Sequence, residues 1–408
     1  FFSVLSPEYA FEMSSSTIRF GRGVTKEIGA DMVNMGYRDN ICVVTDKKLV
    51  NMKQFRSVAD CLSKAGVAFE VFDDVSVEPT DYSLQAAADY CKKKQFKAFI
   101  AIGGGSVMDT AKAANAYMCN PEYDFLDFVN APIGKGMPIP SPLKTLIAVP
   151  TTAGTGSETT GVSIFDHLQT GAKTGIRDRA LRPTMAIIDP DHTDSCSPEL
   201  TAFSGLDVLC HALESFTAVP YWQRCTGAPS SPLLRPAYQG SNPIAEIWSA
   251  YALQQCATYL RRAVEHNDPV AREQMCLAAT AAGVGFGNAG VHLCHAMSYP
   301  ISSLVRDYRP SSGYEHSSKP AIVPHGLSVI LTAPSVFKWT CSADPDRHLR
   351  AAALLGANVN NVKPADAGLL LADTIQSLLS HWTAFVPDGL GALGYGSADI
   401  ERLVKGTL

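Results

Sequence analysis

No apolar run in this chain approaches the roughly 18 residues that a membrane-crossing helix needs, so no helical span is expected. Charge is sparse: 18% of residues are Asp, Glu, Lys or Arg, and the net charge is only −5. No basic block of the kind that tracks phosphates is present. Lys92-Lys93-Lys94 is too short for that and reads as the solvated end of a helix, so nucleic acid is not an expected partner. The eleven cysteines include no CxxC pair and no zinc-finger spacing. Most lie in apolar stretches, as Cys210 and Cys276 do, and read as reduced core thiols. Internal repeats are absent. The chain opens on Phe1, which reads as a processed or trimmed start with any targeting peptide gone. It closes on Gly406-Thr407-Leu408 without a capping signal, which reads as a truncated end.

What is present is an ordinary globular balance, 46% apolar over 408 residues, long enough for two domains with sizeable cores and no staples. Up to about residue 190, β-rich runs alternate with helical ones. Ile41–Thr45, Val67–Phe72, Ala98–Ile102, Leu146–Pro150 and Met185–Asp189 are strand candidates; Met52–Ala65, Ser83–Lys94 and Met108–Met118 are helical. Continuous apolar strands alternating with helices predict an α/β domain with a parallel sheet covered on both faces, spanning 1–190. Beyond Asp189-Pro190 the texture is helical: Pro198 onward, Ile247–Ala263, Pro269–Ala282, His292–Val305 and Ala365–Leu379. This predicts an all-helical second domain over 191–408. Tyr221–Asn242 and Arg306–Pro324, rich in Pro, Gly and Ser, read as surface excursions.

Two loops follow strands and carry binding chemistry. Gly103-Gly104-Gly105-Ser106 opens a helix; its glycines let the backbone approach a ligand, and free N–H groups at the helix start favour a phosphate. Pro150-Thr151-Thr152-Ala153-Gly154-Thr155-Gly156-Ser157-Glu158 offers hydroxyls and glycines suited to a ribose, a diphosphate or a carboxamide. Both loops at strand carboxyl ends describe a nucleotide crevice. Asp46, at the end of the first strand, suits either the adenosine ribose or a helix cap. Gly285-Phe286-Gly287-Asn288-Ala289-Gly290 matches the dinucleotide fingerprint letter for letter. It follows a helical stretch where the fingerprint demands a strand, and reads instead as close packing beside the chemistry. In the second half, Asp207 and His211 are i and i+4 and share a helix face. With His295 and His325 they would make one carboxylate and three imidazoles, a set that suits Fe²⁺ or Zn²⁺ with a position open to substrate. Spacing supports only the first pair.

Taken together, in order along nearly the whole chain, Gly103–Lys112, Pro150–Glu158, Asp207-x-x-x-His211, His295 and Pro324-His325-Gly326 resemble the iron-containing (group III) alcohol dehydrogenases. The resemblance implies a dehydroquinate synthase-like fold, with a Rossmann-like dinucleotide-binding domain, a helical domain and a catalytic metal between them. It gives metal ligation to Asp207, His211, His295 and His325, Fe²⁺ ahead of Zn²⁺. It gives NAD contacts to Gly103, Gly104, Gly105, Ser106, Asp109, Thr151, Thr152, Gly156, Ser157 and Lys173, and a preference for NAD to Asp46. Many relatives carry a second histidine four residues after the third ligand; here Tyr299 stands there, and with His295 it is the candidate catalytic residue. Arg235–Pro243, Gly285–His295 and His325–Val329 resemble a mitochondrial branch of the family. That branch couples oxidation of 4-hydroxybutyrate to succinate semialdehyde with reduction of 2-oxoglutarate to 2-hydroxyglutarate through bound NAD. Arg235 and His292 are candidates to hold the substrate carboxylates, or else a surface Arg and a core His. The alternatives are an NAD-dependent alcohol dehydrogenase acting on a small primary alcohol, a relative of the glycerol dehydrogenase or dehydroquinate synthase kind, and a binding protein on the same scaffold. Oligomeric state stays open, a homodimer among the candidates.

Overall fold

The computed structural model describes residues 8–224, 226–311 and 321–407, so part of the Arg306–Pro324 excursion and the last residue lie outside the described residues. Contacts divide the described residues into an α/β unit, Ser15–Cys196, and a helical unit that takes in Glu8–Ser14 with the described residues from Ser197 on. The unit changes a few residues later than the composition does. The turn Pro190–Thr193 is held by the α/β unit, with Thr25 Oγ1 2.8 Å from His192 Nε2 and Gln54 donating to the His192 carbonyl.

In the α/β unit the strands are β1 (Thr17–Phe20), β2 (Ile41–Val44), β3 (Phe69–Phe72), β4 (Ala98–Gly103), β5 (Thr145–Pro150), β6 (Val162–His167), β7 (Ala172–Arg177) and β8 (Met185–Ile188). Six form one parallel sheet in the order β1-β8-β5-β4-β2-β3. The helices are α1 (Ile28–Asn34), α2 (Lys53–Lys64), α3 (Asp81–Lys94), α4 (Gly105–Cys119) and the short α5 (Phe125–Phe128). Side chains alternate across a pleated strand, and each face of a sheet covered on both sides must find apolar partners. Ile41, Val43, Ile100, Ile102, Ile147 and Val149 therefore point one way, against Ile28, Met32, Phe55, Val58 and Leu62 of α1 and α2. Cys42, Val44, Phe99, Ala101, Leu146 and Ala148 point the other way, against Cys91 of α3 and Met108 and Ala111 of α4. The strands β6 and β7 form an antiparallel hairpin, and its Phe165 and Ile176 pack on Ala113 and Tyr117 of α4. Neither β1, a four-residue strand at the sheet edge, nor this hairpin has an apolar run long enough to stand out in sequence.

The helical unit comprises α6 (Pro198–Thr217), α7 (Pro243–His266), α8 (Pro269–Ala289), α9 (Leu293–Ser303), α10 (His325–Ile330), α11 (Ala333–Thr340), α12 (Pro345–Leu354), α13 (Ala367–Leu379) and α14 (Ile400–Thr407). Starts follow the usual chemistry: Ser197, Asn242 and Asp268 accept first-turn N–H groups with Pro at the next position. Helix α6 is buried along almost its whole length, its Leu206, Val208, Leu209 and Phe216 all inaccessible. Among the described residues no helix is long and apolar enough to cross a membrane.

Candidate metal centre and nucleotide-binding loops

Helix α6 is long enough to bring Asp207 and His211 to its buried middle, on one face. His295 enters from the first turn of α9, and His325 is the first residue of α10. The short helix α10 lies hard against α6. A Cβ on Gly326 would meet the Phe203 carbonyl oxygen at 1.9 Å, so only glycine lets His325 come this close. The four side chains offer atoms that all lie within 4.8 Å of one another, the only such group of His, Cys, Asp and Glu among the described residues. Asp207 Oδ1 stands 3.7 Å from His211 Nδ1, 3.6 Å from His295 Nε2 and 3.7 Å from His325 Nε2.

Three of these atoms, Asp207 Oδ1, His211 Nδ1 and His295 Nε2, are buried and have no hydrogen-bond partner. A buried polar atom without a partner costs about 1–3 kcal/mol, so three converging on one point call for a ligand. One carboxylate and three imidazoles supply the charge and geometry that a divalent first-row cation takes. The ligand set therefore fits the metal that the sequence implies. His325 is the most open of the four, with a quarter of its side chain exposed, and so marks the accessible side.

The protein prepares these groups electrostatically. Burial alone would raise the Asp207 carboxyl, but the facing His211, His325 and His295 more than offset that and hold it well below the usual range. Burial drives His211 down to about 3, keeping it neutral. His295 goes the other way, up to about 9: burial would lower it, but the carboxylate of Glu214 prevails, so a cation taken up at Nε2 would displace the proton there while Nδ1 keeps its own. Glu214, wholly buried on α6, accepts from the backbone N–H groups of His292 (3.0 Å), Cys294 (2.7 Å) and His295 (3.3 Å), and its second oxygen meets His295 Nδ1. The sequence alone does not single out Glu214, although its place three residues after His211 is a signal. The fingerprint-like Gly285–Gly290 stretch runs along the end of α8, with Phe286 stacked on His211 at 3.9 Å between ring centroids. It is close packing beside the centre.

The remaining residues expected in this unit have protein partners. Tyr299 is half-buried one turn beyond His295 on α9. Arg235 is nearly buried and pairs with Glu8 at 3.1 Å. His292 has both ring nitrogens engaged, by Glu214 at 3.3 Å and Thr217 at 3.0 Å.

In the α/β unit, β4 and β5 run side by side in register, Gly103 opposite Pro150, and both loops leave at their carboxyl ends. The Thr151 N–H donates to the Gly103 carbonyl at 3.1 Å. Gly104 caps α4 without any side-chain hydrogen bond, leaving the helix start to backbone N–H groups. A Cβ on Gly105 would stand 2.8 Å from Thr155 Cγ2, so the two loops touch only because that position is glycine. Thr151, Thr152, Gly156 and Ser106 line this edge by their positions. Asp46, at the end of β2, caps the following turn by accepting from the Lys48 and Leu49 N–H groups, both at 2.9 Å. Asp109 and Ser157 are bonded to one another at 2.7 Å, and Asp109 also accepts from Ile164 N–H at 2.9 Å. Lys112, fully buried, donates to Ser157 Oγ (2.7 Å), Thr160 Oγ1 (3.3 Å) and the Val162 carbonyl (2.9 Å), and burial lowers its pKa to about 8. In the sequence Lys112 is only the last residue of the Gly103–Lys112 motif, with nothing to mark this role. Lys173 is buried between two carboxylates, Glu78 and Asp166 (2.9 Å to the latter), which outweigh burial and keep it charged.

Comparison with known proteins gives these two arrangements a setting. The family described as "Iron-containing alcohol dehydrogenase" matches residues 15–190, and "Fe-containing alcohol dehydrogenase family, C-terminal" matches residues 237–306. The chain is 56% identical over 402 residues to "Hydroxyacid-oxoacid transhydrogenase, mitochondrial" of Mus musculus, covering 98% of this chain and 85% of that protein. Among solved structures, "1,3-propanediol oxidoreductase" has the same fold at a TM-score of 0.82 and 24% identity, over 98% of this chain and 93% of that one. A sulfoacetaldehyde reductase from Bifidobacterium kashiwanohense, solved in complex with NAD⁺, is similar at a TM-score of 0.76 and 29% identity, over 98% of this chain and 92% of that one.

Proposed function

This chain belongs to the iron-containing alcohol dehydrogenase family, and from that membership and the Asp207 centre we propose that it is a mitochondrial hydroxyacid–oxoacid transhydrogenase. In this reading 4-hydroxybutyrate is oxidised to succinate semialdehyde, 2-oxoglutarate is reduced to 2-hydroxyglutarate, and NAD carries the hydride from one to the other. The two half-reactions release and consume one proton each, so the cycle needs no other oxidant or reductant. The observation that carries the reaction class is the convergence of partnerless, buried Asp207 Oδ1, His211 Nδ1 and His295 Nε2 on one point beside His325. The substrate pair rests on likeness along almost the whole chain to proteins of that name.

Asp207, His211, His295 and His325 would hold Fe²⁺, with Zn²⁺ as the other ion this set accommodates. Once bound, the cation supplies Lewis acidity that eases loss of the substrate's hydroxyl proton. The chain's own groups do the rest. Neutral His211 and the ionised carboxylate of Asp207 face the site together. The Tyr299 hydroxyl, one turn from His295, passes the substrate proton onward; a phenol of reference pKa about 10 does so less readily than an imidazole. Gly103–Ser106 and the uncapped start of α4 hold the NAD diphosphate. Thr151, Thr152 and Gly156 meet the ribose or carboxamide, and Asp46 favours NAD over its 2′-phosphorylated form. Asp109, Ser157 and Lys173 support that site through the bonds they make within the unit.

Product balance tests the reading. With one equivalent of NAD⁺ per enzyme, succinate semialdehyde and 2-hydroxyglutarate should form one to one, and neither should form beyond a single turnover unless both substrates are present. Steady NADH release from 4-hydroxybutyrate and excess NAD⁺ alone would favour an ordinary alcohol dehydrogenase.

A further inference from the structure

One helix carries more of the metal centre than its two ligands. On α6, Asp207, His211 and Glu214 are spaced i, i+4 and i+7 and so share a face. Glu214 is a carboxylate with no exposed surface, and a buried charge persists only where hydrogen bonds compensate it. Its two oxygens divide their work. Oε1 accepts the His292, Cys294 and His295 N–H groups, the first turn of α9, whose N-cap residue makes no side-chain cap of its own. Oε2 meets Nδ1 of the His295 ring. The same carboxylate thus fixes the backbone that bears His295 and the orientation of its imidazole. His295 Nε2 is left partnerless and aimed at Asp207 Oδ1, 3.6 Å away.

We propose that Glu214 is a positioning residue for the metal centre. By holding His295 with its proton on Nδ1, it presents the Nε2 lone pair, and by gripping the start of α9 it sets the distance of that ligand from Asp207 and His211. A ring with the opposite tautomer would carry its proton on Nε2 and could not ligate. The role differs from a plain helix cap, because a cap needs only an acceptor for the backbone N–H groups. An amide satisfies those but presents an NH₂ group to Nδ1, which then has to accept rather than donate. The inference rests on the Asp207 centre being a metal site, and the test separates the two.

Glu214→Gln and Glu214→Asp should be compared with the wild-type protein by metal affinity, using Zn²⁺ and Co²⁺ in chelator competition, alongside thermal melting. Outer-shell carboxylates of this kind alter affinity by roughly 10- to 100-fold. We expect Glu214→Gln to bind both ions about that much more weakly while still melting cooperatively, and Glu214→Asp, which keeps the charge on a shorter arm, to fall between the two. A folded Glu214→Gln protein with wild-type affinity overturns the role of Glu214. Wild-type protein that binds neither ion overturns the metal centre itself. A measurement on the wild-type protein needs no variant: in ¹⁵N-histidine spectra of the Zn²⁺-loaded protein, His295 should be protonated at Nδ1 and coordinated through Nε2. Protonation at Nε2 would contradict the proposal even if both variants fail to fold.

Discussion

Asp207 is the residue on which the centre turns, since one of its oxygens faces a ring nitrogen of each of the three histidines at 3.6–3.7 Å. Asparagine keeps its size and removes its charge. Asp207→Asn should therefore leave the fold in place, strip the protein of bound iron or zinc, and remove the Lewis acid with it, so that turnover falls by more than the roughly 10²–10³ of losing one preorganised electrostatic contact. Elemental analysis of the purified variant beside its circular dichroism spectrum checks this; a folded Asp207→Asn protein with a full complement of metal would remove Asp207 from the site. The i, i+4 spacing makes Asp207 and His211 legible as a pair in the sequence itself. His295 and His325 are not legible in that way, because their meeting depends on where α9 and α10 begin, and in the second case on the missing Cβ of Gly326. Glu214 is hidden for a different reason: sequence patterns show buried carboxylates as breaks in an apolar face, not as partners.

At the scale of the element, α4 does two things. Its uncapped start faces the loop edge, and one to two turns along, Asp109 and Lys112 reach across to the Ser157–Ile164 segment, the lysine making three hydrogen bonds there. The pair braces the second loop against the first. Lys112→Met should leave the Ser157, Thr160 and Val162 acceptors wanting and destabilise the α/β unit by about 1–3 kcal/mol. It should also weaken NAD⁺ binding measured by calorimetry, without changing metal content. The lysine also leaves a signature in pH. Its folded pKa of about 8 lies below the unfolded value of about 10.5, so between those limits the unfolded chain binds more protons. Lys112 therefore adds stability as pH rises from 8 to 10.5, by up to ~1.4 kcal/mol per unit, and the contribution is absent below that window. The melting temperature of the wild type relative to Lys112→Met should climb across it; a flat difference would show that the lysine is not held neutral by burial. Asp109, expected at the cofactor, is committed within this brace, a role that no spacing rule announces.

For the molecule as a whole, the alternation of apolar strands and helices is enough to give the parallel sheet, and the helical texture beyond Asp189-Pro190 gives the helices that carry Asp207, His211 and His295 but not the short one that begins at His325. Strands buried on both faces write themselves as unbroken apolar runs, as Ile41–Val44 and Ala98–Gly103 do. The edge strand Thr17–Phe20 and the hairpin Val162–Arg177 write nothing so clear, being short or half-exposed. The fingerprint at Gly285–Gly290 shows the reverse case, a perfect motif in the wrong context, lying at the end of a helix with its Phe286 stacked on His211. A dehydrogenase that exchanges its nucleotide and an enzyme that passes hydride between two acids share the same sheet and the same centre. The proposed transhydrogenase is of the second kind. The protein, with Fe²⁺ restored and one equivalent of NAD⁺, is given 4-hydroxybutyrate deuterated at its alcohol carbon together with 2-oxoglutarate, and the 2-hydroxyglutarate formed is analysed by mass spectrometry and NMR. Deuterium at C2 over many turnovers is the predicted result; 2-hydroxyglutarate without label, or its absence while 4-hydroxybutyrate and added NAD⁺ yield deuterated NADH, would contradict it.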